Sequence, residues 1–386
     1  MYRGTAVVGV GESQYYKAGG SPHSAQQLAV TAITNAVADA GLRLEDVDGL
    51  VTFNERVINV PQLASLLGFR NLRFCAQPWD GGGNLGAAAV NLADAAVSSG
   101  YANNVVAYRS VNQGRQGRFG QAHSTAPAGG EQAYLAPFGV AAPVVKNALL
   151  VKKFMHDHDI SQDALAEISL AAYAHAQYNP RAVMHGRQLT REGYHASRWI
   201  AEPFHLFDCC QQNDGAAAVV VTTGERARDL AQPPAYILAG ATGMETLGGL
   251  PAFNDSAFPR GRYRTVGEQL WDRAGVKPDD IDVIQFYENF TGTTLIAICD
   301  IGFCPPEGLE DFVGGGNLQW PSGRFPLNTS GGNLAEAYIH GLQLVNEAVR
   351  QVRGQSTCQV DDVELSLSVA GPGTPPSSAI LLARSA

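Results

Sequence analysis

Six cysteines, a closely spaced histidine pair and several glycine-rich turns are the places where this 386-residue chain could carry chemistry. Cys75, Cys209, Cys210, Cys299, Cys304 and Cys358 could act as nucleophiles, metal ligands or disulfide partners. None belongs to a CxxC pair, which disfavours a zinc knuckle, and six thiols in so long a chain make a poor disulfide framework. His156 and His158, in MHDHD, suggest a metal pair, yet they end an amphipathic stretch and precede Ser161, a fitting N-cap. A solvated helix junction is the plainer reading, and no metal site is expected. Asp80, in WDGGGN, either aims a carboxylate into a cavity or caps its own turn. Arg115 and Arg118, in GRQGRFG, suit a ligand phosphate or a partner's acidic edge as well as an ordinary loop. GGGN at 314–317 does not follow a strand as a dinucleotide fingerprint would, so no nicotinamide site is inferred.

These groups must be held by a large folded body. Apolar residues make up 45% of the chain and charged residues 16%, the balance of an extensively buried protein. The net charge of −9 argues against nucleic acid as the main partner. No run of about eighteen apolar residues occurs, so a membrane span is not expected. MYRGTAVVGVGES reads as a strand entering a glycine turn rather than a signal peptide, and with reduced thiols this points to the cytoplasm.

Leu28, Ala29, Ala32, Ile33, Ala36, Val37 and Ala40 share one helical face, and Gly41 stands at the C-cap. LEDVDGLVTF follows as a turn and a buried strand. DRAGVKPDDIDVIQFYEN repeats this: Ala274-Gly275 mirrors Ala40-Gly41, Asp282 mirrors Asp48, and Ile284 to Tyr287 mirror Leu50 to Phe53. GGNL occurs at 82–85 and at 331–334, each time expected to open an alanine-rich helix. The chain is therefore an α/β protein of two duplicated halves, 1–232 and 233–386, each too small to cover its own sheet. The junction falls near Gln232-Pro233-Pro234, and an excursion over about 110–208 reads as a cap on the site.

CCQQNDGAAAVVV at 209–221, FGVAAPVVKNALLVKKF before it, and YENF followed by NTSGG resemble the thiolase superfamily, in its sterol-carrier or lipid-transfer-type branch. The order and spacing agree over essentially the whole chain. The resemblance implies a thiolase fold, two βαβαβαββ halves in a five-layer αβαβα arrangement, and a homodimer through the sheet edges. It also puts a nucleophilic cysteine at the N-terminus of a buried helix, where the dipole and backbone N–H groups stabilise a thiolate. That position is Gly83 here, and glycine forms no acyl-enzyme. The second family cysteine should fall within AGPGTPPSS at 370–378, where none occurs. Relatives carry His or Asn at the position of Tyr287, and the family histidine beyond Asn328 becomes Tyr338, or Ala335 with another gap placement.

Members that lack the nucleophile resemble aldolases that cleave the side chain of steroid acyl-CoA thioesters and work with a small OB-fold and zinc-ribbon partner. The expectation is retro-aldol cleavage of a β-hydroxyacyl-CoA, releasing propionyl-CoA and a 17-keto steroid, with no cofactor beyond the CoA thioester itself. Tyr338 is the expected proton-transfer residue and Tyr287 the oxyanion or second-proton residue, with His340 and Asn289 as orienters and Asp80 and Gly83 in support. A tyrosine base at neutral pH needs activation, since an ordinary phenol titrates near 10. Two other readings remain open: a thiolase-like acyltransferase using Cys75, and a non-catalytic acyl-CoA or lipid carrier. An aldolase should survive thiol alkylation, and a transferase should not.

Overall fold

The computed structural model describes residues 4–79, 81–116, 129–245 and 253–385, with the side chains of 115 and 116 left undescribed. Asp80 and Arg118 therefore lie outside the described residues, and Arg115 is described only in its backbone, within the short helix Gln113–Gln116.

The first half runs β1 (Thr5–Glu12), α1 (Ala25–Asp39), β2 (Gly49–Thr52), β3 (Phe74–Ala76), α2 (Gly86–Ser98) and β4 (Asn104–Asn112). The chain then makes the cap, whose main helices are α3 (Pro143–His158) and α4 (Gln162–Ala176), and returns as β5 (Asn213–Thr223). The second half runs β6 (Ala235–Gly243), α5 (Arg264–Ala274), β7 (Val283–Phe286), α6 (Thr291–Ile301), α7 (Leu342–Arg353), β8 (Leu365–Ala370) and β9 (Ser377–Ala383). Gln232-Pro233-Pro234 lies in the connection between the short helix Gly224–Ala227 and β6. No single described helix is long and apolar enough to cross a membrane.

The strands form one mixed sheet in the order β7-β8-β9-β6-β1-β5-β4-β2-β3. Read from the β6–β1 seam, the order is symmetric. On one side β6 and β9, then β9 and β8, run antiparallel and β8 pairs parallel with β7; on the other, β1, β5, β4 and β2 do the same. The seam itself is short, pairing Ala6 with Tyr236 and Val7 with Ala235. Duplication extends to single side chains. Asp48 accepts from the backbone N–H of Asn104 at 2.8 Å, and Asp282 accepts from that of Leu365 at 2.9 Å, each pinning a parallel neighbour strand. Asp46 and Asp280 likewise accept from the Arg43 and Lys277 N–H groups.

Strand alternation divides the apolar residues among three cores. Ala218 and Val220 face α1, whereas Val219 and Val221 face α2 and α7. Ile380 and Leu382 meet α2 and α7 from the opposite side, whereas Ala379 and Leu381 turn outward to α5, α6 and the cap. The result is the five-layer αβαβα stack that the resemblance implies, with α2 and α7 as its central layer.

The second GGNL departs from expectation. At 82–85 the motif leads into α2, but at 331–334 it opens only a single π turn, Gly332–Glu336, and α7 starts at Leu342. Ala337 is extended, and His340 and Gly341 have φ of 52° and 83°, so the helix cannot continue. This break puts Tyr338 and His340 on an irregular segment aimed into the space between the halves.

Candidate active site

Helix α2 is anchored across the halves at its first turn. Ser378 of β9 accepts from the Ala88 N–H at 3.1 Å and donates to the Asn84 carbonyl at 2.7 Å. Gly83 sits just ahead of this turn. Its φ lies outside the left-handed region, so backbone freedom does not explain the glycine; space does. A Cβ built on Gly83 would fall inside the phenol ring of Tyr287, overlapping Cζ, Cε2 and the hydroxyl. The same ring also lies against Gly341, where a Cβ would come within 2.8 Å of Cδ2. Tyr287 thus fills the place that a side chain at position 83 would occupy, with Gly341 also against its ring.

Tyr287 leaves the end of β7, its N–H bonded to the Val369 carbonyl at 2.9 Å. Asn328, from NTSGG, grips the preceding Phe286 backbone with both ends of its carboxamide, at 2.8 and 2.9 Å. Tyr338 is held from the first half, its N–H donating to Asn213 Oδ1 at 2.9 Å. Two motifs thereby converge, and the Tyr287 hydroxyl donates to that of Tyr338 at 2.7 Å. The structure brings together the two tyrosines on which the sequence reading settled, and Ala335 lies instead in the π turn.

Burial raises both phenols above the usual tyrosine range; their mutual proximity and the Cys210 thiol add to the rise for Tyr287, and Cys210 does so for Tyr338. Both hydroxyls are accordingly held in their protonated form at neutral pH. His340 packs edge-to-face on Tyr338, with ring centroids 5.1 Å apart. Burial, and then the charge of Arg109, hold its imidazole well below the usual histidine range, so it is neutral. Asn289 lines the same cavity and accepts from the Thr293 hydroxyl at 3.3 Å.

Sequence reasoning missed several neighbours. Cys210 packs against both tyrosines, and burial pushes its thiol well above the ordinary range, so it is not a thiolate. Glu288 is fully buried beneath the π turn, and burial pushes its carboxyl up to about 8. Its Oε1 accepts from Leu334 N–H at 3.3 Å. Arg109, in the middle of β4, reaches His340 from behind. Cys75 is exposed on the edge strand β3 and does not line the cavity. Among the described residues no group of three His, Cys, Asp or Glu is placed to hold a metal, and His156 and His158 end α3.

The tyrosines open on a cavity of about 1250 Å³ that runs under the cap. Phe207, Phe290, Val144 and Met184 give it apolar walls. Four cations, Lys17, Lys146, Arg187 and Arg198, also line it, and no described Asp or Glu does, in a chain whose net charge is −9.

Comparison with known proteins agrees with this fold. A family model described as thiolase C-terminal domain-like matches residues 241–384. The 17-hydroxy-3-oxo-4-pregnene-20-carboxyl-CoA lyase of Mycobacterium tuberculosis is 38% identical, over 97% of this chain and 98% of that one. The steroid side-chain-cleaving aldolase of Thermomonospora curvata is also 38% identical, over 97% of each. Among solved structures, an Ltp2-ChsH2(DUF35) aldolase superposes with a TM-score of 0.91 at 36% identity, covering 98% of this chain and 97% of that one. The chain belongs to the thiolase superfamily, in the branch of the steroid side-chain-cleaving aldolases.

Proposed function

We propose that the chain is a carbon–carbon lyase that cleaves a β-hydroxyacyl-CoA thioester by a retro-aldol reaction. The observation that carries this is the phenol of Tyr287 standing where an acyl-accepting side chain would have to be, hydrogen-bonded to a second phenol. Acyl transfer through Gly83 is sterically closed, and Cys75 is outside the cavity. The hydrogen-bonded phenols and His340, all lining the cavity, set the chain apart from a mere carrier.

In the reaction the β-hydroxyl proton passes to Tyr338 as the Cα–Cβ bond breaks and Cβ becomes a ketone. Tyr338 passes its own proton to Tyr287, whose proton goes to Cα of the enolate. Each phenol is neutral before and after, which fits their raised pKa values, and hydroxyl rotation lets the pair serve in this direction. Donors around the thioester oxygen hold the enolate meanwhile, an effect on the order of 3–4 kcal/mol for one well-placed donor. His340 and Asn289 are the candidates, and no cofactor takes part.

The names of the relatives support a 17-hydroxy steroid C22-CoA as substrate, giving a 17-keto steroid and propionyl-CoA. The four cations suit the phosphates of CoA and the apolar walls suit a fused-ring acyl group. Pairing of the solved aldolase with a DUF35 protein supports a small OB-fold and zinc-ribbon partner here as well. The free edge of β3 supports a homodimer, since an edge strand invites pairing. Reduced cysteines are consistent with a cytoplasmic site of action.

The test is release of propionyl-CoA from the steroid thioester, with the partner present, by the wild type, Tyr287→Phe and Tyr338→Phe. Each variant should lose about 10²–10⁴ in kcat, the range of a general acid–base group. Unchanged turnover in both would refute the proposal.

A further inference from the structure

His340 lies at the meeting point of a buried ion pair and the cavity. Arg109 Nε donates to His340 Nδ1 at 3.0 Å, and its Nη1 donates to Glu55 Oε2 at 3.3 Å. Glu55 is in turn fixed by the Val57 and Ile58 N–H groups, both 2.9 Å from Oε1. The Phe53 ring lies 5.9 Å from the guanidinium carbon and 6.5 Å from the imidazole. A guanidinium only donates and stays charged, so Nδ1 must present its lone pair and the ring proton must sit on Nε2. Protonating Nδ1 would set an N–H against the Arg109 N–H.

The other edge of the ring is the accessible one. His340 lines the cavity and Arg109 does not. Nε2 has no hydrogen-bond partner among the described residues, yet it is not sealed from solvent. The backbone at His340 has φ of 52°, a left-handed conformation that non-glycine residues seldom adopt and that holds the imidazole at this point beside Tyr338.

We infer that Arg109 is a positioning residue that locks His340 in the Nε2–H tautomer, so that the imidazole offers the thioester oxygen a fixed, neutral donor. The donor strengthens its bond as the oxygen becomes an enolate and gives up no proton. Glu55 balances the Arg109 charge behind the imidazole. The inference rests on the retro-aldol reading and adds the group that holds the oxyanion.

A double-mutant cycle on the complex tests it. Glutamine places an amide N–H near the position of Nε2 and has no tautomer to fix, so His340→Gln should keep kcat within about tenfold while His340→Ala loses about 10²–10³, as for a deleted oxyanion donor. Arg109→Met should lower kcat by about 10–100-fold with KM nearly unchanged, and should cost little more when added to His340→Gln. Equal losses from Arg109→Met in both backgrounds would show a purely structural role and overturn the inference, as would full activity in His340→Ala. Nitrogen-15 histidine spectra of the wild type give a check that needs no Arg109 variant: one ring unprotonated at Nδ1 and protonated at Nε2 throughout pH 5.5–8. If no such ring is found the inference fails, even though a lyase dependent on Tyr287 and Tyr338 would leave the proposed reaction standing.

Discussion

Replacing Gly83 by alanine tests the geometry of the site most directly. The added methyl group would lie within the Tyr287 ring, and Gly341 also lies close against that ring. The phenol must therefore leave its place. That forfeits the hydrogen bond to Tyr338, worth about 1 kcal/mol, and overfills a packed site at about 1–3 kcal/mol more. A loss of about 2–4 kcal/mol in unfolding free energy is expected, read from urea denaturation, together with a fall in lyase turnover at least as large as that of Tyr287→Phe. Gly83→Cys should behave in the same way and gain no thiolase activity. The decisive measurement is the same substitution in a Tyr287→Ala background, where the space is empty: Gly83→Ala should there cost only a few tenths of a kcal/mol. If Gly83→Ala costs the same in both backgrounds, or is as stable and active as the wild type, the ring does not hold the nucleophile's place.

Glu288 is protonated in the folded chain up to about pH 8, but an ordinary glutamate ionises near 4.5 when unfolded. The folded state therefore holds the extra proton between those values, and stability should fall as pH rises across that window by up to about 1.4 kcal/mol per unit. Glu288→Gln should remove that slope, seen as a smaller difference between urea midpoints at pH 5.5 and 7.5; an unchanged slope would mean the carboxyl is already ionised. Cys75→Ala should leave turnover intact. Because Cys209 and Cys210 line the cavity, alkylation of the wild type is no longer a clean sign of a thiol nucleophile. Any inactivation should track Cys210 or Cys209 in peptide maps, and Cys210→Ala should retain turnover. Arg187→Ala and Arg198→Ala should each raise KM for the CoA thioester by roughly fivefold, about 1 kcal/mol, with kcat within a factor of two or three. A pantetheine thioester lacking the nucleotide phosphates should show no such change.

Much of the site was legible because it is written in absences and repeats. Gly83 and the cysteine-free 370–378 segment marked the missing thiols, and the Asp48–Asp282 mirror marked the duplication that the sheet order displays. The two tyrosines could be located from motif spacing, but their contact depends on Asn213 and Asn328, which act through backbone bonds that spacing does not report. Arg109 left a signal that went unused: an arginine inside the apolar strand NVVAYRSVN is a buried charge that demands a partner. Lys17, Arg187 and Arg198 were beyond reach, because they come from the start of the chain and two parts of the cap and meet only around the cavity. Expecting α7 to begin at the second GGNL failed because composition favoured a helix there, whereas the turn around Glu288 and the positive φ values of His340 and Gly341 interrupt it.

The symmetric sheet has a consequence for how the reaction is divided. Strands β2 and β7 hold equivalent places in the duplicated sheet, and Phe53-Asn54-Glu55 and Tyr287-Glu288-Asn289, which follow them, arrive at one place. They differ in occupation. The later copy supplies a phenol hydrogen-bonded to Tyr338, the earlier copy a phenylalanine ring and a carboxylate that pairs with the charge behind His340. Two corners that follow equivalent strands thus stand as a worker and its counterweight, and the cavity carries a polarity that the symmetric sheet alone would not give it.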